Sequence, residues 1–161
     1  MDYRIGFGFD VHQLKEGREL RLGGMTIAYH KGSFGHSDAD VLIHAICDAV
    51  LGASNLGDIG KHFPDNSDEY RGIDSRILLK KVMKLLQDSG YILSNLDSTI
   101  CLEKPKIANH IPEMKNILAE CMDIEIDRIS IKATSNEKLG YLGREEGVAA
   151  YVTALIFKIN N

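Results

Sequence analysis

Several features that define other protein classes are scarce or absent in this sequence. It has only three cysteines in 161 residues, and no two of them form a Cys-x-x-Cys pair, which argues against a disulfide framework or a thiolate zinc site. No apolar run reaches the roughly 18 residues of a membrane span. The N-terminus leads straight into a strand-like segment and lacks the apolar core of a signal peptide. These absences predict a cytoplasmic protein whose cysteines are reduced.

An excess of positive charge is also missing. The net charge of −4 and the pI near 5.8 argue against a nucleic-acid-binding surface. The glycine-rich segments match neither a P-loop nor a dinucleotide-binding fingerprint, and no internal repeat or low-complexity linker interrupts the chain. With 44% hydrophobic and 26% charged residues, the composition is that of an ordinary globular protein. We therefore expect residues 1–161 to form one domain.

The segment His36–Gly52 organises the prediction, because it begins polar and continues as a helix. Short polar side chains at its start favour helix initiation, since a side-chain oxygen can accept from a free backbone N–H there. Apolar residues then recur at helical spacing. Asp40, His44 and Asp48 are spaced four apart and share one face of the helix. His44 is therefore expected on a polar stripe beside an apolar one.

A strand near the N-terminus supplies partners for His44. Apolar residues alternate through Ile5–Val11, so Asp10 and His12 project together from the opposite face. Two imidazoles and one carboxylate match a catalytic zinc site, which keeps a fourth position for substrate or water. The same ligands suit non-haem iron, so residue types alone leave the metal open. A lone helical histidine is more often an ordinary residue, and the metal hypothesis depends on both segments aiming at one place.

The rest of the chain alternates between strands and helices. Leu20–Ala28 is predicted to be a hairpin, because its two central glycines supply the positive φ that tight turns require. The long connection Ala53–Ser67 is predicted to be an ordered, functional loop. Lys31–Gly35 is predicted to be a loop. Apolar spacing predicts helices from Asp74 or Ser75 to Gly90 and from Pro112. It also predicts strands over Leu96–Leu102, Ile129–Thr134 and Gly147–Lys158.

These elements define the expected fold class. The strands at 96–102 and 129–134, joined through a helix, have the pattern of a crossover with parallel strands. The last strand is apolar on both sides, so both faces should be covered, and a second subunit is expected to cover one of them. The prediction is an α+β fold: a small mixed β-sheet with helices packed on one face, plus an N-terminal β-hairpin.

Two further polar segments directly follow predicted strands. Leu102–Ala108 contains two lysines around Pro105, which could hold phosphate as point charges, although solvated surface lysines are the commoner explanation. Thr134–Lys138 combines hydroxyls, an acid and a base. That mixture suits phosphate with a hard divalent cation such as magnesium, and the alternative is an ordinary turn.

Seven motifs together resemble a known family. They occur in one order as Phe9-Asp10-Val11-His12, His36-Ser37-Asp38-Ala39-Asp40, Leu42-Ile43-His44-Ala45, Gly57-Asp58-Ile59-Gly60, Phe63-Pro64-Asp65, Lys104-Pro105-Lys106 and Ala133-Thr134-Ser135-Asn136-Glu137-Lys138-Leu139-Gly140. The chain resembles the 2-C-methyl-D-erythritol 2,4-cyclodiphosphate synthases from Arg4 to about Lys158. Two departures are visible, since the family usually has Gly where Ala39 stands and Thr where Ser135 stands. Ser135 keeps the hydroxyl, and Ala39 should be tolerated unless positive φ is needed there.

The resemblance implies an activity and an assembly. Members of the family convert 4-diphosphocytidyl-2-C-methyl-D-erythritol 2-phosphate to the 2,4-cyclodiphosphate and release CMP, as phosphorus–oxygen lyases of non-mevalonate isoprenoid precursor biosynthesis. They are homotrimers whose active sites lie between adjacent subunits. By resemblance, Asp10, His12 and His44 match the zinc ligands, and Glu137 matches a ligand of a second divalent ion, magnesium or manganese. His36 and Ser135 match the positions assigned to transition-state stabilisation.

The resemblance also implies a set of substrate-binding residues. In the family these residues lie near the methylerythritol part of the substrate, in the cytidine and phosphate pocket, and near the trimer's central channel. The matching positions in this sequence are Asp10, His12, His36, Ser37, Asp58, Ile59, Gly60, Phe63, Pro64, Asp65, Asn66, Ser67, Leu102, Glu103, Lys104, Pro105, Lys106, Ile107, Ala108, Thr134, Ser135, Asn136, Glu137, Tyr141 and Arg144.

Three functions remain open at this point. The first is the cyclising synthase, which would release CMP without taking up water. The second is a metal-dependent phosphoesterase that uses the same ligands and incorporates solvent oxygen. The third is a non-catalytic trimeric binder in which the metal is a structural clip, although a structural zinc site normally has four protein ligands. The resemblance favours the first.

Overall fold

A computed structural model describes residues 2–64 and 66–158. Its strands are β1 (Tyr3–Glu16), β2 (Leu20–Leu22), β3 (Met25–Ile27), β4 (Lys31–Phe34), β5 (Tyr91–Cys101), β6 (Ile129–Thr134) and β7 (Gly147–Lys158), and its helices are α1 (Val41–Ala53), α2 (Ile59–His62), α3 (Ser75–Asp88), α4 (Ile111–Met122) and α5 (Gly140–Gly143). Single 3₁₀ turns occur at Asp68–Tyr70, Ala108–His110 and Ile126–Arg128. Within the described ranges, no helix is long and apolar enough to cross a bilayer.

Five strands form one mixed sheet in the order β4-β1-β7-β5-β6. β5 and β6 are parallel, and the other neighbouring pairs are antiparallel. This confirms the crossover prediction, since α4 lies between the parallel strands in the chain. β2 and β3 form a separate two-stranded sheet, which is the predicted hairpin. The α+β class with a mixed sheet is therefore confirmed.

Several predicted boundaries were wrong. The segment predicted as a loop over Lys31–Gly35 contains β4, which pairs with the end of β1. β1 itself spans Tyr3–Glu16, well beyond the alternating segment Ile5–Val11 from which the strand was predicted. β5 begins at Tyr91, five residues before the predicted start. The sequence of β4 contains polar and glycine residues and lacks the apolar alternation typical of a strand. Its strand conformation is therefore defined by its pairing with β1.

Helix α1 packs against β1 with almost no space between the two backbones. A Cβ built on Gly8 would overlap the carbonyl oxygen of Ala45 and lie 2.7 Å from the amide nitrogen of Ala49. Gly6 meets the next turn of α1 in the same way, with its Cβ position 2.7 Å from the nitrogen of Ala53. Glycine is needed at both positions because any side chain would push the helix off the strand.

The start of α1 is held by a buried carboxylate. Asp40 is fully buried and caps the helix by accepting from the N–H of Ile43 at 3.1 Å. Its oxygens also accept from the N–H groups of Gly23 and Gly24, at 3.0 and 2.6 Å. Both glycines have positive φ, so their N–H groups converge as an anion-binding nest. Asp40 thereby joins the hairpin to the helix that carries His44.

The two faces of the sheet differ sharply in exposure. α1 covers one face of β1 and β7, and α3 and α4 extend this layer over β5 and β6. The other face leaves large apolar side chains in solvent, including Ile5 at 72% and Phe7 at 63% exposure, with Phe9 and Tyr151 in ring contact beside them. Exposed apolar patches of this kind mark interaction surfaces. The prediction of helices on one face is confirmed, and the opposite face remains uncovered in the single chain.

We expect Gly8→Ala to destabilise the fold because its methyl group would overlap the backbone of α1. Overpacking of this kind costs about 1–3 kcal/mol, and more when backbone must move. The measurement is the midpoint of urea-induced unfolding. Gly52→Ala is the matched control, because Gly52 lies in α1 with open space around its Cβ position. It should stabilise the protein by about 0.5–1 kcal/mol through helix propensity. Equal midpoints for Gly8→Ala and the unsubstituted protein would contradict the close packing.

Candidate functional site

Three side chains converge where β1 passes α1. Asp10 and His12 project from the face of β1 that faces the helix, and His44 comes from the polar stripe of α1. The Oδ2 atom of Asp10, the Nε2 atom of His12 and the Nδ1 atom of His44 lie 3.0 Å from one another in each pair. Among the described residues, these three form the single cluster of potential metal ligands. The structure thus brings together the trio predicted from sequence.

The electrostatics of the trio favour a bound cation. Burial by itself would raise the pKa of Asp10, but hydrogen bonds from His12 and His44 outweigh it and hold that pKa well below its usual range. Burial likewise works to lower the pKa of His12, and the bond to Asp10 outweighs it, so the pKa is raised. Two imidazoles around one carboxylate therefore attract positive charge, which a proton or a metal ion can supply.

The donor atoms fit a tetrahedral metal ion. Ligands at about 2.0–2.1 Å from zinc are separated from one another by about 3.3 Å, close to the 3.0 Å separations observed here. His12 is oriented for this role because its Nδ1 atom contacts the carbonyl oxygen of Phe34 at 3.3 Å. A carbonyl can only accept, so Nδ1 carries a proton, and Nε2 would present its lone pair to a metal ion bound at the site. The trio could therefore hold a divalent metal.

The other ring nitrogen of His44 is held by two hydroxyl groups. Its Nε2 atom lies 2.9 Å from the Oγ atoms of both Ser37 and Ser75. Ser75 is completely buried and its hydroxyl donates a short hydrogen bond to Asp38. The sequence prediction included Ser37 as a site residue and missed Ser75 and Asp38 in this role. No local signal links them, since Asp38 and Ser75 are 37 residues apart in the chain.

A cavity of about 370 Å³ opens beside the trio. It is lined by His12, His36, Ser37, His44, Ile59, Gly60, Phe63, Tyr70 and Leu78. Seven of these lining residues were predicted to be metal or substrate ligands, and Tyr70 and Leu78 were missed. Phe63 and Tyr70 are in edge-to-face contact, which gives the cavity one aromatic wall. A pocket with an apolar wall and a few convergent polar groups is typical of small-molecule sites.

The loop beside this cavity is shaped by two carboxylates. Asp48 lies one turn beyond His44 on α1, and its Oδ1 atom accepts from the N–H of Ile59 at 2.7 Å. Asp58 caps the short helix α2 by accepting from the N–H of Lys61 at 2.9 Å. The loop predicted to be ordered therefore includes a helical turn. Ser67 caps the following 3₁₀ turn, and Pro64 and Asn66 adjoin it, whereas Asp65 lies outside the described residues.

A larger cavity lies elsewhere in the fold. It has a volume of about 680 Å³ and lies between α3, α4, the first residues of β5 and the 3₁₀ turn before β6. Its lining contains no histidine among the described residues, and its acidic side chains do not form a ligand cluster. We therefore assign the functional site by its chemistry and place it at the smaller cavity beside the trio.

A second polar cluster forms where β5 and β6 end side by side. The N–H of Leu102 donates to the carbonyl of Thr134 at 3.0 Å, and the carboxylate of Glu103 accepts from the N–H groups of Asn136 and Lys138, at 3.1 and 3.4 Å. Glu137, between them, has a φ of 50°. A non-glycine residue in this left-handed region is uncommon and frequently occurs at functional sites. The two motifs predicted to contact cytidine and phosphate are thus adjacent.

Other residues with predicted roles surround this second cluster. Lys104 lies 3.7 Å from Glu145, which also accepts from the hydroxyl of Tyr29 at 2.7 Å. Arg144 pairs with Glu146 at 2.9 Å. Tyr141 lies in α5 and is 42% exposed. Ser135 donates to Glu137 at 3.4 Å. The remaining predicted residues of the cytidine loop, Pro105, Lys106, Ile107 and Ala108, follow Lys104 along the same segment.

The two clusters lie at the same end of the sheet but on different strands. The strand register places Asp10 level with Ala150 of β7, which in turn is level with Ile100 of β5 and Ala133 of β6. With strands about 4.8 Å apart, β1 is about 10 Å from β5 and about 14 Å from β6. None of the residues from the second cluster lines the cavity beside His44. A single chain therefore carries two separate polar clusters.

Ala39 stands where the family usually has glycine, and its backbone adopts a conformation that favours glycine. Ala39 was expected to be tolerated unless its position needs positive φ, and its φ is 57°. Its N–H donates to the Oγ of Ser37 at 3.2 Å, which places the Ser37 hydroxyl beside His44. For an alanine this conformation costs about 1–2 kcal/mol. The tight turn that leads from His36 into α1 is therefore strained in this chain.

Comparison with known proteins agrees with this arrangement. The sequence model of the YgbB family matches residues 3–157. A curated relative from Bacteroides fragilis, named 2-C-methyl-D-erythritol 2,4-cyclodiphosphate synthase, is 61% identical over 159 residues, which are 99% of this chain and 100% of that protein.

Solved structures share the fold. The bifunctional IspDF from Campylobacter jejuni matches with a TM-score of 0.95 at 37% identity, over 99% of this chain and 43% of that one. A CDP complex of IspF from Plasmodium falciparum matches with a TM-score of 0.86 at 32% identity, over 98% of this chain and 97% of that one. This chain, with its Asp10, His12 and His44 cluster at the crossing of β1 and α1, belongs to the YgbB family.

Proposed function

We propose that this chain converts 4-diphosphocytidyl-2-C-methyl-D-erythritol 2-phosphate to 2-C-methyl-D-erythritol 2,4-cyclodiphosphate and releases CMP. The observation that carries the proposal is the convergence of Asp10, His12 and His44 beside a cavity of small-molecule size. A relative named for this synthase activity is 61% identical over almost the whole chain. The chain, 1–161, acts as one domain in this proposal.

Zinc is the metal that we propose for the trio. Asp10, His12 and His44 would hold it, and they leave the fourth position of a catalytic zinc site to the substrate. A metal ion held there supplies a Lewis acid that polarises a phosphoryl oxygen. His12 contributes Nε2 because Phe34 holds its other nitrogen. The residue types also suit iron, so the metal content of the purified protein decides between them.

Glu137 is proposed as a ligand of a second divalent cation, magnesium or manganese. A single carboxylate suffices for such an ion, because magnesium is commonly bound through one or two carboxylates together with substrate phosphates. Glu103 supports this role by accepting from two N–H groups of the turn around Glu137. The left-handed φ of Glu137 is thereby stabilised in a turn that directs the segment beyond β6.

The reaction proposed is an intramolecular phosphoryl transfer. An oxygen of the substrate's 2-phosphate attacks the β-phosphorus and forms a new P–O bond. The bond from that phosphorus to the oxygen bridging the α-phosphate breaks, and CMP leaves with this oxygen, so no water is consumed. Both reacting groups belong to one molecule, and holding them in a reactive geometry is worth about 7–11 kcal/mol.

The chain's own side chains position the substrate for this attack. Ser37 and His36 line the cavity beside the trio and are proposed to bind the phosphate there. Ile59, Gly60 and Phe63 form the wall proposed to enclose the methylerythritol part. Ser135, at the second cluster, is proposed to act with His36 in stabilising the charge of the transition state. Excluding water from this cavity would favour cyclisation over hydrolysis.

The segment Leu102–Ala108 is proposed to bind the cytidine. Its main chain is fixed at the end of β5 by the bond between Leu102 and Thr134. Lys104 is held near Glu145 and can approach a phosphate. Tyr141 and Arg144 are proposed to lie near the substrate phosphates and near the trimer's central channel. A structural relative solved as a CDP complex supports cytidine nucleotide binding here.

We further propose a cytoplasmic homotrimer with active sites between adjacent subunits. Support comes from the exposed apolar face of β1 and β7, which carries Ile5, Phe7 and Phe9, since a face of this kind favours association. Support also comes from the distance on one chain between the trio and the second cluster around Glu137, which we propose as the first and second half-sites of a shared site. In a closed ring, each copy can supply its second cluster to the metal cluster of its neighbour.

The activity is tested by incubating the purified protein with the substrate in water enriched in oxygen-18. We expect stoichiometric CMP and a cyclic diphosphate without solvent oxygen. A phosphoesterase would instead form a linear product that contains the label. Recovery of labelled linear product or inorganic phosphate as the main product would reject the synthase proposal.

His44→Ala should remove both metal and activity because one of three protein ligands is lost. Losing an outer partner of a ligand costs about 10–100-fold, so losing the ligand itself should cost more in CMP release. Metal content by mass spectrometry and CMP release are the two measurements, with circular dichroism to verify the helix. His110→Ala is the control, since His110 lies at the start of α4 away from the trio. A His44→Ala protein with full metal content and turnover would refute the ligand assignment.

Mixing two inactive variants tests whether neighbouring copies share the site. His44→Ala disables the first half-site and Glu137→Ala the second. In trimers assembled randomly from equal amounts of both, about one quarter of the shared sites should contain two intact halves. Co-expression should therefore restore about one quarter of the unsubstituted activity.

The control mixture combines His44→Ala with His12→Ala, which both lie in the first half-site. No site in that mixture has an intact first half, so no activity should return. If the mixture of His44→Ala with Glu137→Ala is as inactive as its parents while forming mixed trimers, each site is built within one chain.

A further inference from the structure

The aromatic wall of the cavity beside the trio consists of Phe63 and Tyr70, which belong to different turns of the chain. Phe63 is the C-terminal cap of α2, and Tyr70 ends the following 3₁₀ turn, Asp68–Tyr70. Their rings meet edge to face, with centroids 5.4 Å apart and an interplanar angle of 77°. Both rings line the cavity, so the shape of this wall depends on how the two turns are held relative to the rest of the fold.

The backbone hydrogen bonds around the 3₁₀ turn are local. The N–H of Tyr70 donates to the carbonyl of Ser67 at 3.2 Å, and the N–H of Ser67 donates to the carbonyl of Pro64 at 3.1 Å. A bond to a distant part of the chain follows at Gly72, whose N–H donates to the carbonyl of His36 at 2.9 Å. A single 3₁₀ turn has little stability of its own, so contacts of its side chains help to determine its position at the cavity.

Lys81 supplies such a contact from α3. It lies three residues beyond Leu78, which also lines the cavity, and residues three apart are neighbours on the surface of a helix. The Nζ atom of Lys81 lies 5.3 Å from the ring centroid of Tyr70 and 5.9 Å from that of Phe63. Both distances are within the range of about 6 Å over which a cation is attracted to an aromatic ring. One ammonium group therefore contacts both rings of the wall.

An ion pair accompanies these ring contacts. The Nζ atom of Lys81 lies 3.8 Å from the carboxylate of Glu69, and the two side chains are 46% and 65% exposed. Exposed pairs of this kind contribute little, because solvent weakens the attraction and holding two long side chains in one geometry costs entropy. Attraction between a cation and an aromatic ring persists at exposed sites, and Lys81 contacts two rings. The ring contacts are therefore the more important part of the Lys81 interaction.

We propose that Lys81 is a positioning residue that holds Phe63 and Tyr70 in place as the wall of the substrate cavity. This inference rests on the proposed function, in which Phe63 belongs to the wall that encloses the methylerythritol part. Lys81 does not line the cavity itself, so it acts through the two rings. A wall that is ordered before the substrate arrives lowers the ordering cost of binding. Lys81 should therefore affect substrate affinity more than the rate of the chemical step.

Lys81→Met tests this role, because methionine keeps an unbranched stem and removes the ammonium group. We expect KM to rise about two- to fivefold, the size of an exposed cation–π contact, with kcat unchanged. Lys81→Arg should restore the KM of the unsubstituted protein, since a guanidinium group is also attracted to aromatic rings. Lys84→Met is the matched control, because Lys84 lies three residues further along α3 and pairs with Asp88 at 3.0 Å. Its KM should equal that of the unsubstituted protein.

Amide hydrogen exchange is a second measurement, which requires neither substrate nor metal. The N–H groups of Tyr70 and Arg71 are hydrogen-bonded within the turn, the second of them to the carbonyl of Asp68 at 3.3 Å. Local opening of a segment exposes such groups to exchange. Loss of the Lys81 contacts should therefore raise both exchange rates about two- to fivefold, while exchange in the centre of α3 stays unchanged. Lys84→Met should leave all of these rates unchanged.

A different explanation for a raised KM is that the charge of Lys81 attracts the anionic substrate directly. Tyr70→Leu distinguishes the two explanations, because it removes one of the two rings that Lys81 contacts. If Lys81 acts through the wall, Lys81→Met should raise KM by a smaller factor in the Tyr70→Leu background than in the unsubstituted protein. An equal or larger factor in that background would mean that the ammonium group acts on the substrate itself, and it would overturn the positioning role.

The outcomes separate this inference from the proposed function. Absence of CMP release from the unsubstituted protein rejects the proposed function, while the exchange rates still decide whether Lys81 holds the wall. The inference is overturned if Lys81→Met leaves exchange at Tyr70 and Arg71 unchanged, or if exchange becomes faster while KM does not rise. In the second case, Lys81 orders the turn without affecting the substrate.

Discussion

The contact between the backbones of α1 and β1 is the constraint on which the site depends. Glycines at positions 6 and 8 leave no room for side chains between strand and helix. The next two residues on the same face of β1, Asp10 and His12, therefore reach His44 across a short gap. Nearly all of α1 is buried apart from the stripe formed by His44, Asp48 and Gly52. Packing thus orients the only polar edge of the helix toward the site.

Two carboxylates near the trio, Asp38 and Asp40, fix the start of α1 by accepting hydrogen bonds from backbone N–H groups. Asp40 ties the start of α1 to the hairpin, and Asp38 ties the same region to the start of α3. Both carboxylates accept from backbone N–H groups, which satisfies donors that a helix or turn leaves free. The strained turn at Ala39 lies between them. Fixing the chain on both sides of this turn keeps Ser37 and His44 in contact.

The sequence predicted the candidate metal trio through two local periodicities, each of which placed its residues on the correct face of their own element. Alternation along a strand placed Asp10 and His12 on one face, and helical spacing placed His44 on a polar stripe. Boundaries were predicted less well, as for β4, whose strand state comes from pairing with β1. Ser75 and Asp38 were missed because their contact joins residues 37 positions apart. The roles of Glu137 and of the cytidine loop rest on family resemblance, and they remain proposals.

By itself, the sequence determined which residues share a face, where helices begin and where two glycines turn the hairpin, because these depend on backbone geometry over a few residues. The tertiary structure decided how those faces meet. It brought Ser75 to the far side of His44, placed the two polar clusters at one end of the sheet on strands that are not neighbours, and left an apolar face uncovered. Each of these results depends on distances between segments far apart in the chain, which local periodicity does not encode.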